Sequence, residues 1–212
     1  MSAASPAKTA MVRRRRGPLA TLVLSLLVTG VDVVLLALAL GGFSAVWSHT
    51  RARALVAIWA VMGAVLALRR PVGAQDVVER APESRGILIG LGLAPLLVAP
   101  VAAYGERMGL WLFPGQPALG WIGVALAALG LGLRIAAMSQ LGPRFSPLLA
   151  VQREHTLETT GLYRRIRHPG YLGSWLAALG AVCAFGSGLG IPLLLLFGGL
   201  LIARARREET ML

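Results

Sequence analysis

The sequence predicts an all-α, polytopic membrane bundle of about six helices, the last two folded as a re-entering hairpin. Three observations carry that prediction. The 212 residues are 56% hydrophobic and only 14% charged, with mean hydropathy +0.71. Apolar runs with few or no charges recur along the chain, most of them close to the ~20 residues that a ~30 Å hydrocarbon core demands. The basic residues fall almost wholly between those runs. A net charge of +12 raises nucleic acid as a partner. A nucleic-acid face, however, would spread its charge over one surface rather than confine it to inter-span loops. Anionic lipid headgroups are the better electrostatic partner.

The elements follow in order. Residues 1–18 form a basic segment with Arg13 to Arg16 in a row, and residues 19–42 the first apolar run. That run is too long for a signal-peptide core and shows no convincing cleavage site, so it reads as a retained span. Its lone mid-span acid, Asp32, is expensive in lipid and is expected to make an interhelical hydrogen bond. Residues 54–68 make a short second span that must draw on its flanks. Residues 86–104 make a third, with Pro95 and Pro100 predicting a kink. Residues 117–138 make a fourth, carrying Gly120, Gly123, Gly130 and Gly132, small residues that let helices approach closely. Arg134, near its end, can snorkel to the surface or flank a site there. The last run, residues 171–203, would be about 50 Å long as one straight helix, well beyond the bilayer core. Its centre reads GSGLGIP over residues 186–192, a strong turn signal. Two helices entering and leaving by one face are therefore expected. Cys183 lies inside this run; a lone cysteine forms no internal disulfide and reads as a small buried hydrophobe.

Orientation follows from the basic residues. With the N-terminus cytoplasmic, Lys8, Arg13 to Arg16, Arg69, Arg70, Arg80, Arg85, Arg144, Arg153, Arg164, Arg165, Arg167, Arg204, Arg206 and Arg207 lie inside. Only Arg51, Arg53 and Arg107 lie outside, 17 against three. A straight final span would put the last three arginines on the wrong side. Arginine makes 20 of the 21 basic residues, an association with GC-rich genomes rather than a physical argument; the expected location is a bacterial cytoplasmic membrane.

The polar chemistry is concentrated in the loop SQLGPRFSPLLAVQREHTLETTGLYRRIRHPGYLG and in the terminal ARARREETML. The pattern H-T-L-x-T-T-G-x-Y-x-x-x-R-H-P-x-Y-x-G, then an apolar hairpin, then R-x-x-x-E-E-x-x-L, resembles the isoprenylcysteine carboxyl methyltransferases. Their wider group includes phospholipid N-methyltransferases. The resemblance covers roughly residues 141–212 and implies S-adenosyl-L-methionine as methyl donor, bound at the cytoplasmic end of the hairpin. It implies cofactor contacts at Gln152, at His155, Thr156, Leu157 and Glu158, at Tyr163, at His168, Pro169, Gly170 and Tyr171, and at Glu208. It places Arg204 near the substrate. The spacer between Gln152 and His155 is shorter than in eukaryotic members. The family pattern usually goes on past E-E-x-x-L into an amphipathic tail with F-G and Y-x-x-Y, whereas this sequence stops at Leu212. On this reading residues 1–18 are a basic cytoplasmic segment, 19–138 carry four spans, and 139–212 are the catalytic region.

These residue types suit such chemistry. Methyl transfer from a sulfonium is an in-line displacement whose main demands are alignment and exclusion of water. It needs no metal, and the sequence has neither a cysteine pair nor H-E-x-x-H. A carboxylate acceptor is already ionised and needs a planar guanidinium to orient it; Arg204 is the first candidate and Arg167 the second. Glu208 can accept from an ammonium or ribose hydroxyls. The His155, His168, Tyr163 and Tyr171 rings can donate, stack, or face a sulfonium. Pro169 stiffens the entry to the next helix. The plainer readings are positive-inside anchors for Arg164 and Arg165, belt residues for the tyrosines, and a solvent ion pair for Glu209.

The expected acceptor is thus lipophilic and arrives from the bilayer, with an isoprenylcysteine-like carboxylate first. A phospholipid amine is the alternative, with Glu154 or Glu158 taking its proton. A sterol-reductase-like enzyme using NADPH shares the R-H-P-x-Y pattern. A non-catalytic scaffold or transporter is the remaining class; transport would want ionisable residues along a path, and only Asp32 is clearly mid-span.

Overall fold

The structure, a computed structural model, describes residues 18–68, 77–80, 85–142, 150–152 and 160–210. It consists of α1 (Pro18–Leu40), α2 (Phe43–Ser48), α3 (Thr50–Leu68), β1 (Val77–Arg80), α4 (Arg85–Met108), α5 (Ala118–Leu141), β2 (Ala150–Gln152), α6 (Pro169–Phe185) and α7 (Ile191–Glu209). Short 3-10 turns over Gly161–Arg164 and Gly188–Gly190 precede α6 and α7. The architecture is a polytopic helix bundle. Four of its helices are long and apolar enough to cross a membrane, with the 17-residue α6 a shorter apolar helix. Among the described residues β1 pairs antiparallel with β2, tying the α3–α4 connection to the α5–α6 connection, and Leu112 forms an isolated antiparallel bridge with Ser187.

Two helix boundaries differ from the expected spans. α3 begins at Thr50, four residues before the apolar run, and so reaches 19 residues. The charged first turn is tolerated because Arg51 is neutralised by Glu106 at the end of α4 and donates also to Gln116. His49 caps the same turn: its Nδ1 accepts from the Ala52 N–H at 3.2 Å, which leaves Nε2 to donate to Glu106 at 3.1 Å. α1 stops at Leu40 because Gly41 and Gly42 take φ of +95° and +142°, a region costly for any residue with a Cβ. The following α2 is an unexpected element. α4 runs on through Pro95 and Pro100 as one helix. Asp32 is half-buried and, among the described residues, has no hydrogen-bond partner, contrary to the expectation of an interhelical bond.

Helices α5 and α6 form the most extensive packing pair. They run antiparallel, with Gly123 and Gly130 of α5 set against Gly180 and Gly173 of α6. A Cβ added at Gly130 would lie 2.5 Å from the Ala177 nitrogen and 2.6 Å from the Gly173 oxygen; one at Gly180 would lie 2.6 Å from the Gly123 oxygen. Of the four glycines in this run, Gly132 meets nothing within 4 Å and Gly120 faces the Arg51 side chain.

The terminal hairpin is present and spans the bundle. α6 and α7, of 17 and 19 residues, are about 26 and 29 Å long at 1.5 Å per residue. Gly186, at φ +64°, terminates α6 with its N–H on the Val182 and Cys183 carbonyls, both at 3.0 Å. Buried Ser187 then donates to the Leu110 carbonyl at 2.7 Å and accepts from the Leu189 N–H at 3.3 Å. Backbone bonds from Phe113 to Gly186 and from Gly188 to Trp111, each 2.8 Å, fasten the turn to the α4–α5 connection. Both open ends of the hairpin therefore return to the end of the bundle opposite Arg51, Glu106 and Arg107. In oriented vesicles carrying Cys183→Ala, an impermeant maleimide should label Arg164→Cys and Arg206→Cys from one side and Leu110→Cys from the other. Labelling of the first two from opposite sides would refute the hairpin.

Candidate active site

The hairpin's open ends bring the start of α6 against the last turn of α7. His168 precedes α6, with Pro169 fully buried at the first helical position, where its fixed φ suits the turn and its missing N–H removes no bond. The His168 and Tyr171 rings stack 5.3 Å apart at 7°. The Glu208 carboxylate is the point of convergence. It accepts from the Tyr171 hydroxyl and from Arg204 Nε at 3.4 Å, and its second oxygen lies 3.5 Å from His168 Nδ1. Glu209 lies outside this centre, 3.3 Å from His168 Nε2 and 3.5 Å from Arg167.

Exposure separates the two candidate arginines. The Arg204 side chain is 11% exposed and that of Arg167 86%. A guanidinium held among packed helices keeps its direction and its Coulombic reach, whereas one in water is screened and disordered. Arg204 thus has the position of an orienting cation, and Arg167 that of a rim charge.

Helix α5 contributes Arg134, which the sequence offers as a residue flanking a site, and Gln140, which sequence reasoning does not bring in. Arg134 donates to the Ser174 hydroxyl and, at 3.5 Å, to the Gly170 carbonyl, so its guanidinium sits against the first turn of α6. Gln140 holds the approach to α6: its amide nitrogen donates to the Thr160 carbonyl at 2.6 Å and its oxygen accepts from the Leu162 N–H at 3.0 Å. Gly161 between them takes φ +53°, and a Cβ there would run into the Gln140 amide. Tyr163 donates to the Ala137 carbonyl at 3.4 Å, so this tyrosine is also bound to α5. Arg134 was legible as a charge near the end of a span. No local signal in the sequence marks Gln140.

Of the residues singled out from sequence, Arg204, Glu208, His168, Tyr171, Pro169 and Gly170 are brought together here. Tyr163 lies beside them on the α5 side. Gln152 falls in β2, where its backbone pairs with Val77. His155, Thr156, Leu157 and Glu158 lie outside the described residues. Among the described residues, no three His, Cys, Asp or Glu side chains gather as metal ligands.

A polytopic membrane bundle that closes an acid, a buried guanidinium and two stacked rings at the open end of a terminal hairpin defines the class of protein. Residues 121–212 match the model of the isoprenylcysteine carboxyl methyltransferase family. The chain is similar to the protein-S-isoprenylcysteine O-methyltransferase of Schizosaccharomyces pombe, 43% identical over 61 residues, or 28% of this chain and 26% of that one. It resembles the enzyme of the same name from Tribolium castaneum, 32% identical over 87 residues (39% and 31%). It also resembles protein-S-isoprenylcysteine O-methyltransferase B of Arabidopsis thaliana, 37% identical over 73 residues (32% and 37%). No solved structure gives a match. The similarity to this family is confined to residues 121–212, and the chain spans between 26% and 37% of the length of these curated relatives. The matched region begins inside α5, the helix that supplies Arg134 and Gln140 and the glycine seam against α6.

Proposed function

We propose that this chain is an S-adenosylmethionine-dependent methyltransferase that methylates the carboxylate of a lipophilic, isoprenylcysteine-like acceptor at one membrane surface. The observation that carries the reading is the convergence of His168, Tyr171 and Arg204 on Glu208 across the hairpin.

The donor set fits such a cofactor. Glu208 offers a carboxylate to an ammonium or to ribose hydroxyls, and the His168–Tyr171 stack offers aromatic face to adenine or to a sulfonium cation. When bound, S-adenosylmethionine supplies a methyl group already activated on sulfur. The chain's own residues then have two tasks. Arg204, with Arg134 nearby on α5, holds an acceptor carboxylate by charge-assisted hydrogen bonds, which fixes direction as well as affinity. The other demand of the reaction is alignment of the acceptor with the methyl carbon, which the fixed helix ends serve. No general base is needed, because the nucleophile is ionised at neutral pH. On this reading residues 139–212 act as the catalytic region, and the basic residues in the inter-span loops favour a cytoplasmic side for this surface and for the N-terminus.

Incubating the purified protein with methyl-labelled S-adenosylmethionine and an S-prenylated cysteine acid should yield base-labile counts, released as methanol. Stable N-methyl product on a phospholipid amine would replace this reading with the amine alternative. Absence of label from both acceptors, with cofactor binding intact, would exclude both.

A further inference from the structure

The end of the bundle remote from the candidate active site carries a second concavity. It encloses about 420 Å³ and is lined by Leu40, Ala45, Ser48, His49, Glu106 and Arg107. That volume falls in the range of small-ligand sites.

Its charges are unequally committed. Both oxygens of Glu106 are taken, one by Arg51 and the other by His49 Nε2 at 3.1 Å, so the carboxylate is neutralised within its own cluster. Arg107 is different. Its guanidinium lies over Gly41, and NH1 makes one long bond, 3.5 Å, to the Ala39 carbonyl at the end of α1. A guanidinium has five donors, of which this bond uses one, and Arg107 is itself part of the concavity's lining. The net result is a cationic lip over a wall of Leu40 and Ala45.

Helix α2 supplies two of the lining residues, Ala45 and Ser48. In this helix Val46 is fully buried, while Phe43 and Trp47, one turn apart, are 56% and 53% exposed. Trp111 and Tyr104 are also exposed at this end. Aromatic side chains so arranged mark the membrane–water boundary. Ala45 and Ser48, on the same helix, look into the concavity. The concavity therefore lies at the same end of the bundle as these boundary aromatics, with apolar Leu40 and Ala45 and cationic Arg107 in one lining.

We propose that this concavity binds the anionic phosphate headgroup of a phospholipid, with Arg107 as the phosphate donor and Leu40 and Ala45 against the glycerol and first acyl carbons. The site lies across the membrane from the methyltransferase centre and does not depend on that reading.

The test is a titration of the detergent-solubilised protein with dihexanoyl phosphatidylglycerol below its micellar concentration, read as a shift in melting midpoint. The wild type should show a saturable rise. Arg107→Gln should weaken the apparent affinity about tenfold or more, as loss of a charge-assisted contact requires. Arg53→Gln, an exposed arginine at the same surface, should leave it unchanged. Ser48→Phe, which fills the concavity and spares Arg107, should abolish the rise, and it decides the matter if Arg107→Gln does not fold. The proposal is overturned if Arg107→Gln binds as the wild type does, or if Arg53→Gln loses as much. It is also overturned if dihexanoylglycerol, which lacks phosphate, gives the same curve, or if inorganic phosphate alone does, since neither then requires a phospholipid.

Discussion

Glu208→Ala is expected to weaken S-adenosylmethionine binding about 100-fold in a calorimetric titration of the solubilised protein, a loss of about 2.7 kcal/mol. The carboxylate is where the Tyr171 hydroxyl, Arg204 Nε and His168 Nδ1 meet. On the proposed function, removing it takes away an acceptor for the cofactor, and it also takes from Arg204 that counter-charge in a poorly hydrated position. Truncating one partner of a hydrogen-bonded charge pair typically costs about 2–5 kcal/mol, and Glu208 is partly exposed, which argues for the lower half of that range. His168→Ala removes a stacked ring and weak ion pairs, and a smaller loss of about tenfold is expected. Glu209→Ala is the control: its side chain is 41% exposed and pairs at the rim, so a change of less than about threefold is expected. If Glu208→Ala binds the cofactor like the wild type yet melts lower, Glu208 is a structural tie between α6 and α7 and not a ligand residue.

The second large effect is on stability. Gly130→Ala is expected to destabilise the solubilised protein by about 1–3 kcal/mol, with Gly132→Ala neutral or slightly stabilising. The two positions are two residues apart on one helix and chemically identical. At Gly130 the new methyl would meet the Ala177 nitrogen and the Gly173 oxygen at 2.5 and 2.6 Å, whereas at Gly132 it meets nothing within 4 Å. Backbone atoms cannot turn aside as a side chain can, so α5 and α6 must part by about an ångström to restore normal contact. Dispersion along the whole seam is then lost, and in lipid that packing, not hydrophobic burial, holds helices together. Gly130→Ala combined with Gly180→Ala should cost less than the two single changes together, because the first has already moved the helices apart. Equal melting of Gly130→Ala and Gly132→Ala would refute the seam. Activity should fall with Gly130→Ala too, since Arg134 and Gln140 are placed against α6 by the same contact.

Much of this architecture was legible from residue order. The GSGLGIP turn sits where the length of the last apolar run demanded one, and folding there returns Arg204 to His168. The small-residue positions of the fourth span are also readable as a packing device. Which of the four glycines meets a partner was not, because a helix face becomes an interface only once its neighbour is placed. The start of α3 was missed for the same kind of reason. Arg51 and Arg53 look like the end of an apolar run until Glu106, 55 residues away in sequence, is seen to neutralise Arg51.

What the amino-acid order determined on its own is therefore a hydrophobicity pattern: a bundle of apolar helices and the turn that folds the last two together. These are local or one-dimensional properties, set by the cost of placing charge and unpaired backbone in lipid. The tertiary structure alone decided which polar groups face one another. Glu208 meeting Tyr171, Gln140 holding the backbone ahead of α6, and Arg107 left with spare donors at the far surface all depend on distances between separate helices. Hydrogen bonds act over about 3 Å, and no spacing along one chain specifies that between two.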